Sequence, residues 1–230
     1  RLFVAQLART IRRGAGVPEL PAALTMLAAP GREPQMDDVI RVVKSDRELE
    51  LAVKRRANAA TYGRPTGDLR MAIARIGIAR VGSMTAWRFL NGSAFALPSM
   101  ESTMTSLRFL AATTSELASE LAPIELRGEL RLAGLFHEVG RYLVLRASIP
   151  PAGERRPLEL RVRSVMAAYA VSVSHVVVGG WGLSRVVCES VARHPDAGVS
   201  STAPESARLL RVARIAAMAA EAGPGLDRRS

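Results

Sequence analysis

The chain has 230 residues, a mass of 24.7 kDa and a formal net charge of +11. Its hydrophobic fraction of 48% excludes an intrinsically disordered protein, because a chain of this composition can bury a core. Cys188 is the only cysteine, which excludes an intrachain disulfide and favours a cytoplasmic location. Lys44 and Lys54 are the only lysines, so the charge comes from arginine; we interpret it as a bias of composition more than as a signature of nucleic-acid binding.

Apolar residues recur at helical spacing along the chain, and no good run alternates as a half-buried strand does. The sequence therefore predicts an all-α fold. The predicted helices cover residues 2–13, a short segment around Leu24 and Leu27, and residues 37–44, 45–58, 68–76, 79–90, 97–122, 124–146, 157–178, 184–193 and 204–222.

The breaks between these helices predict how the chain is organised. Ser45 and Glu48 have the spacing of a capping box that starts a helix, and Gly77 separates two helices. Residues 92–98 form the one soft boundary. We predict an N-terminal helix or linker over residues 1–16, a domain over 17–218 made of lobes 17–95 and 96–218, and a polar tail over 219–230. Because the chain starts with arginine and not methionine, we expect it to be a piece of a longer protein.

Residues 164–184 carry no formal charge, so this stretch is long enough to be weighed as a membrane span. It contains His175, four serines and three glycines, which favours a buried core helix followed by a glycine-rich turn at residues 179–182. We therefore predict no membrane span, a hydrogen-bonded core position for His175, and a packing role for Trp181 in the turn.

His137 and Glu138 lie side by side in an apolar predicted helix, which is how the active site of a metal-dependent hydrolase begins. The other ligands are scarce, since the chain has three histidines and none precedes His137. The simpler interpretation makes His137 a structural residue and pairs Glu138 with Arg141 at the surface. A metal-dependent phosphohydrolase that draws its ligands from His137, Glu138, His175, His194 and Asp196 remains an alternative.

Two further features have simple interpretations. His194 ends a predicted helix, where an imidazole commonly answers the helix dipole. The basic clusters at residues 12–13, 54–56 and 155–156 are scattered and have few aromatic neighbours, which favours solvated helix faces. Binding of nucleotides or nucleic acid through these arginines is a third hypothesis, and it is not favoured.

Several segments together resemble the bacterial HDOD domain, a regulatory relative of the HD phosphohydrolases, over residues 17 to 218. Each segment is weak evidence alone, and their order and spacing make the resemblance specific. The segments are Pro18-Glu19-Leu20-Pro21, Ser45-Asp46, Arg56-Ala57-Asn58-Ala59-Ala60-Thr61-Tyr62-Gly63, Ala72-Ile73-Ala74-Arg75-Ile76-Gly77, Leu135-Phe136-His137-Glu138-Val139-Gly140-Arg141, Trp181-Gly182-Leu183 and Ala192-Arg193-His194.

The resemblance implies two packed helical lobes, the second with a degenerate HD-like core. It also implies a non-catalytic, cytoplasmic role in bacterial signalling, with no cofactor and with a protein partner or small ligand, often beside cyclic-di-GMP or response-regulator modules. The implied structural signature is Asp46, Asn58, Tyr62, Gly63, Gly77, Gly140 and Trp181. The candidate pocket is the vestigial pair His137 and Glu138 with Arg141 and His194.

The chain also departs from the pattern of the family. Arg47 stands where proline is expected, Ala59 replaces serine, Glu138 replaces aspartate, and Pro195 replaces a second histidine. These losses move the chain further from catalysis than a typical member, so we predict a pseudo-enzyme.

Overall fold

The computed structural model describes residues 17–27, 34–59, 64–148, 159–195 and 202–222, with the backbone alone for residues 148 and 159–168. These ranges contain helices and no strand, so the prediction of an all-α fold is confirmed. The helices are α1 (Ala22–Leu27), α2 (Met36–Lys44), α3 (Arg47–Ala57), α4 (Leu69–Ile76), α5 (Ile78–Leu90), α6 (Glu101–Leu121), α7 (Arg127–Phe136), α8 (Val139–Ser148), α9 (Glu159–Gly180), α10 (Arg185–Arg193) and α11 (Glu205–Ala222).

Local sequence signals explain several of these boundaries. Helix α3 begins at an aspartate cap, because the Asp46 carboxylate accepts the backbone N–H groups of Glu48 and Leu49 at 3.0 and 3.1 Å. The predicted capping box is therefore wrong: Ser45 instead ends α2, where its hydroxyl donates to the Val42 carbonyl at 2.7 Å. Gly77 separates α4 from α5 as predicted, and its φ of 84° is a conformation that favours glycine.

The apolar faces form two main hydrophobic clusters. The first lies between α2, α3, α4 and the start of α5, around Val39, Leu49 and Ile73. The second and larger cluster takes in α1, the end of α5, and helices α6 to α11. Helix α5 joins the two, since Val81 belongs to the first and Leu90 to the second.

Aromatic side chains organise part of the larger cluster. Trp181 meets Phe89 and Phe136 edge-on, with ring centroids 5.6 and 5.2 Å apart. Its indole N–H donates to the Pro18 carbonyl at 2.9 Å, which ties the start of the described chain to the end of α9. The packing role predicted for Trp181 is confirmed.

Two predictions along α9 are wrong. Gly179 and Gly180 lie within the helix, and the turn follows at Trp181 and Gly182. His175 is exposed because Ser174, Val177 and their neighbours occupy the core-facing side of α9, which places the imidazole on the opposite side. Over the described ranges, every helix is too short or too polar to cross a bilayer.

Candidate functional site

His137 and Glu138 form a two-residue break between α7 and α8, whereas the sequence predicted one continuous helix over residues 124–146. Ser174 of α9 stabilises the break. Its hydroxyl donates to the His137 carbonyl and accepts the Gly140 N–H, both at 2.8 Å. Helix α9 presses so closely here that a Cβ on Gly140 would lie 1.9 Å from the Ala170 carbonyl oxygen. The backbone of the pair is therefore fixed by contacts from α9.

The Glu138 carboxylate is buried, with 2% of the residue exposed, and both of its oxygens have cationic neighbours. Oε2 lies 2.9 Å from Nε of Arg141, and Oε1 lies 3.0 Å from Nε of Arg214 on α11. Burial by itself would raise the Glu138 pKa, but the neighbouring His137, Arg141 and Arg214 outweigh it and hold that pKa well below its ordinary value. The pairing with Arg141 is present as predicted, but its carboxylate is buried and its arginine is only partly exposed.

The two buried histidines, His137 and His194, are oriented by backbone carbonyls. Nδ1 of His137 lies 2.7 Å from the Gly134 oxygen, and Nδ1 of His194 lies 2.9 Å from the Val191 oxygen. Because a carbonyl only accepts, each Nδ1 carries the proton. The rings meet edge-on with centroids 5.6 Å apart. Nε2 of His137 approaches Glu138 Oε1 to 3.1 Å, yet the geometry is too poor for a hydrogen bond, so this buried atom has no aligned partner in the part of the chain that the structure describes.

His194 is neutral in the folded chain. Burial lowers its pKa to about 3, and the neighbouring His137 and Arg214 act in the same direction. His194 interacts with the end of its helix as predicted, and it does so without a charge on the ring. The ring caps α10 as a neutral donor, through its bond to the Val191 carbonyl.

These contacts decide how well the site fits a catalytic metal. Its donors would be Nε2 of His137, Nε2 of His194 and the Glu138 carboxylate, but an arginine already contacts each oxygen of that carboxylate. Across the described ranges, no three His, Cys, Asp or Glu side chains are arranged to hold a metal ion. His175 is exposed on α9, and Asp196 lies outside the described residues. The residues present do not fit the metal centre of an HD enzyme.

Arg214 is the site residue that sequence reasoning missed. The only signal was the repeat of arginine at positions 208, 211 and 214 on an amphipathic helix. That repeat does not show which neighbour α11 packs against, and Arg214 meets Glu138 across 76 positions of sequence.

Two other signature residues, Asp46 and Asn58, lie beside the first hydrophobic cluster. Asp46 caps α3 and also pairs with Arg88 at 2.7 Å. The Asn58 side chain donates to the Thr66 carbonyl at 2.9 Å and accepts the Thr66 N–H at 2.7 Å, which closes the loop before α4. Two more residues of the predicted signature, Tyr62 and Gly63, lie outside the described residues.

A cleft of about 920 Å³ lies away from this site, between helices α3, α5 and α6 with Leu135 of α7 at its wall. We call it the α3–α5–α6 cleft. Its lining combines an apolar floor, which includes Trp87 and Met84, with arginine and glutamate side chains from all three helices.

Comparison with known proteins places these features in a family. The HDOD domain matches residues 17–197, and the chain belongs to the HDOD family. A search of curated proteins found no match.

Three solved structures share the fold. A candidate metal-dependent phosphohydrolase from Shewanella amazonensis SB2B has 20% identity and a TM-score of 0.68, with 97% of this chain and 84% of that one covered. An HDOD domain protein of unknown function from Geobacter sulfurreducens has 18% identity and a TM-score of 0.58, with 93% and 76% covered. A candidate signal transduction protein from Marinobacter aquaeolei VT8 has 21% identity and a TM-score of 0.62, with 92% and 54% covered, so this chain spans about half of its length.

Proposed function

We propose that the chain is a non-catalytic regulatory domain of a bacterial signalling protein, in which an internal ion-pair cluster replaces the metal centre of an HD enzyme. The observation that carries this proposal is the contact of Arg141 and Arg214 with the two oxygens of Glu138. We define the Glu138 cluster as His137, Glu138, Arg141, His194 and Arg214.

The Glu138 cluster is unsuited to metal catalysis for an electrostatic reason. A divalent cation would have to displace two guanidinium groups from a buried carboxylate, and it would meet their positive charge on arrival. Within the Glu138 cluster, Nε2 of His137 is the buried atom that has no aligned partner among the described residues, and one imidazole is not a catalytic metal site. The same contacts connect α11 to the α7–α8 break, as a structural cluster should.

Family membership and the name of the Marinobacter structure support a regulatory role. We propose that the domain acts in the cytoplasm by binding a protein partner or a small ligand, in the company of cyclic-di-GMP or response-regulator modules. The name of the Shewanella structure supports the second candidate function, a metal-dependent phosphohydrolase.

Metal content and phosphodiesterase activity of the purified protein separate the two functions. After incubation with Mn²⁺ or Zn²⁺ and gel filtration, we expect far less than one metal ion per chain and no hydrolysis of bis-p-nitrophenyl phosphate above the His137→Ala background. Arg214→Gln should raise retention of metal by freeing Glu138, whereas Arg208→Gln, an exposed arginine on the same helix, should not. Stoichiometric metal in the wild type, with turnover that His137→Ala abolishes, would overturn the proposal.

A further inference from the structure

We infer that the α3–α5–α6 cleft binds a nucleoside monophosphate, with the base on Trp87 and the phosphate at Arg56. This inference deepens the proposed function, since it names the ligand class that a regulatory domain of this kind would sense. It concerns a site separate from the Glu138 cluster, none of whose members lines the cleft.

The apolar part of the cleft suits a flat ring. Trp87 and Met84 of α5 face it, together with Leu49 and Ala52 of α3. Trp87 is only partly buried, so part of its surface remains open to a ligand. Any of the bases can stack on an indole ring, because every base has a π face, so this contact does not select one base. The cavity volume lies within the range typical of small-molecule sites.

Two of the arginines that line the cleft already form ion pairs with carboxylates of the chain. Arg88 contacts Asp46 at 2.7 Å and Glu48 at 2.8 Å. Arg80 contacts Glu116 at 3.0 Å. These pairs leave little net charge at the centre of the cleft.

Arg56 differs from these arginines. It is exposed, it lines the cleft, and its side chain makes no ion pair within the described part of the chain. A guanidinium group binds phosphate through two parallel N–H···O bonds, which a flexible lysine does not reproduce. Arg56 is therefore the group in the cleft that is available to bind an anion.

Glu120 of α6 is a candidate hydrogen-bond acceptor for the ligand. This residue lines the cleft, and its carboxylate pairs with no arginine or lysine at salt-bridge distance among the described residues. A carboxylate accepts hydrogen bonds from the exocyclic amino group of cytosine, and uracil has no such group. We therefore expect CMP to bind more tightly than UMP.

Isothermal titration calorimetry of the full 230-residue chain with AMP, GMP, CMP and UMP tests the site. We expect saturable binding of one nucleotide per chain. Arg56→Gln should weaken binding about tenfold or more, because it removes a charge-assisted contact. Arg55→Gln is the matched control: it removes the same charge from the neighbouring exposed position, which does not line the cleft, and it should change the Kd less than about twofold.

Two further variants test the ring and the amino group. Trp87→Ala should weaken binding about tenfold, and Trp87→Phe, which keeps an aromatic ring and the packing of α5, should stay within a few fold of wild type. Glu120→Gln should reduce the preference for CMP over UMP.

Three results would overturn the inference: no heat of binding with any of the four nucleotides at millimolar concentration, equal losses in Arg55→Gln and Arg56→Gln, or inorganic phosphate binding as tightly as CMP. Chromatography of the titrated nucleotide keeps the two proposals distinguishable. Hydrolysed nucleotide would contradict the non-catalytic role and leave the cleft site standing. Absence of binding would remove the cleft site and leave the regulatory role standing.

Discussion

The Glu138 cluster and the α3–α5–α6 cleft both hold arginine and glutamate, but they differ in burial and in pairing. In the cluster, a carboxylate with 2% exposure has both oxygens in contact with arginine. In the cleft, the paired side chains remain partly exposed, and Arg56 and Glu120 have no ion-pair partner at salt-bridge distance in the described ranges. A buried charge is costly to leave without its partner, so a buried pair stays closed, whereas exposed unpaired charges are available to a ligand. This difference supports our proposals of a structural role for the first region and of ligand binding for the second.

The largest expected effect comes from the close approach that positions the Glu138 cluster. Gly140→Ala would place a Cβ 1.9 Å from the Ala170 oxygen and 2.6 Å from the Ser174 nitrogen, both backbone atoms that cannot move aside cheaply. We expect a loss of more than about 4 kcal/mol in the free energy of unfolding, measured by urea denaturation.

Gly128→Ala is the matched control for this change. Its added Cβ would make an ordinary 3.5 Å contact with Ala79, so we expect a change within about 1 kcal/mol. Similar stabilities for the two variants would show that α9 does not hold the α7–α8 break rigidly.

A smaller effect is expected when one arginine is removed from each region. Arg214→Gln leaves Glu138 buried with Arg141 and His137, which should cost about 3 kcal/mol of stability, the lower end for broken buried pairs. Arg88→Gln breaks two contacts to partly exposed carboxylates and should cost less than about 1 kcal/mol.

A double-mutant cycle of Arg214→Gln with Glu138→Gln measures the coupling between the two side chains directly. The matched cycle for the cleft pairs Arg88→Gln with Glu48→Gln. Equal coupling energies in the two cycles would contradict the assignment of a structural role to the cluster alone.

The sequence predicted most of the helices because their signals are local. Gly77, the apolar periodicity and the Asp46 cap region place α2 to α5 within a few residues of their bounds. The break at His137 could not be predicted in this way, because the hydroxyl that stabilises it comes from Ser174, 34 positions beyond Gly140. Without that distant contact, the apolar pattern of residues 124–146 predicts one continuous helix.

The candidate site shows the same division between local and distant contacts. Adjacency identified His137 with Glu138, and helical spacing identified Arg141. The contact from Arg214 depends on how α11 packs, which no local pattern encodes. His194 is neutral because it is buried. The sequence analysis predicted a buried position for His175 instead, and that residue is exposed. Valines lie near His175 on both sides, at positions 173 and 176–178. Such an apolar stretch does not indicate which face of α9 packs against the core.

The smallest expected effect is a dependence of stability on pH that comes from His194. Its pKa is about 3 in the folded chain and 6.5 in the unfolded chain. As the pH falls below 6.5, the unfolded chain binds a proton that the folded chain does not, so stability should fall, by about 1 kcal/mol between pH 6 and pH 5. Glu138 acts in a lower window, because its depressed pKa gives stability that is present above pH 4.5 and lost below it.

Urea denaturation at pH 6 and pH 5 therefore isolates His194 from Glu138. His194→Asn keeps a side-chain donor for the Val191 carbonyl and cannot titrate, so it should remove this part of the pH dependence. His175→Asn removes an exposed imidazole from α9 without touching the Glu138 cluster, and it controls for the loss of a histidine as such. An unchanged slope in His194→Asn would mean that the imidazole becomes charged inside the fold, and the cluster would then be open to protons and water like the cleft.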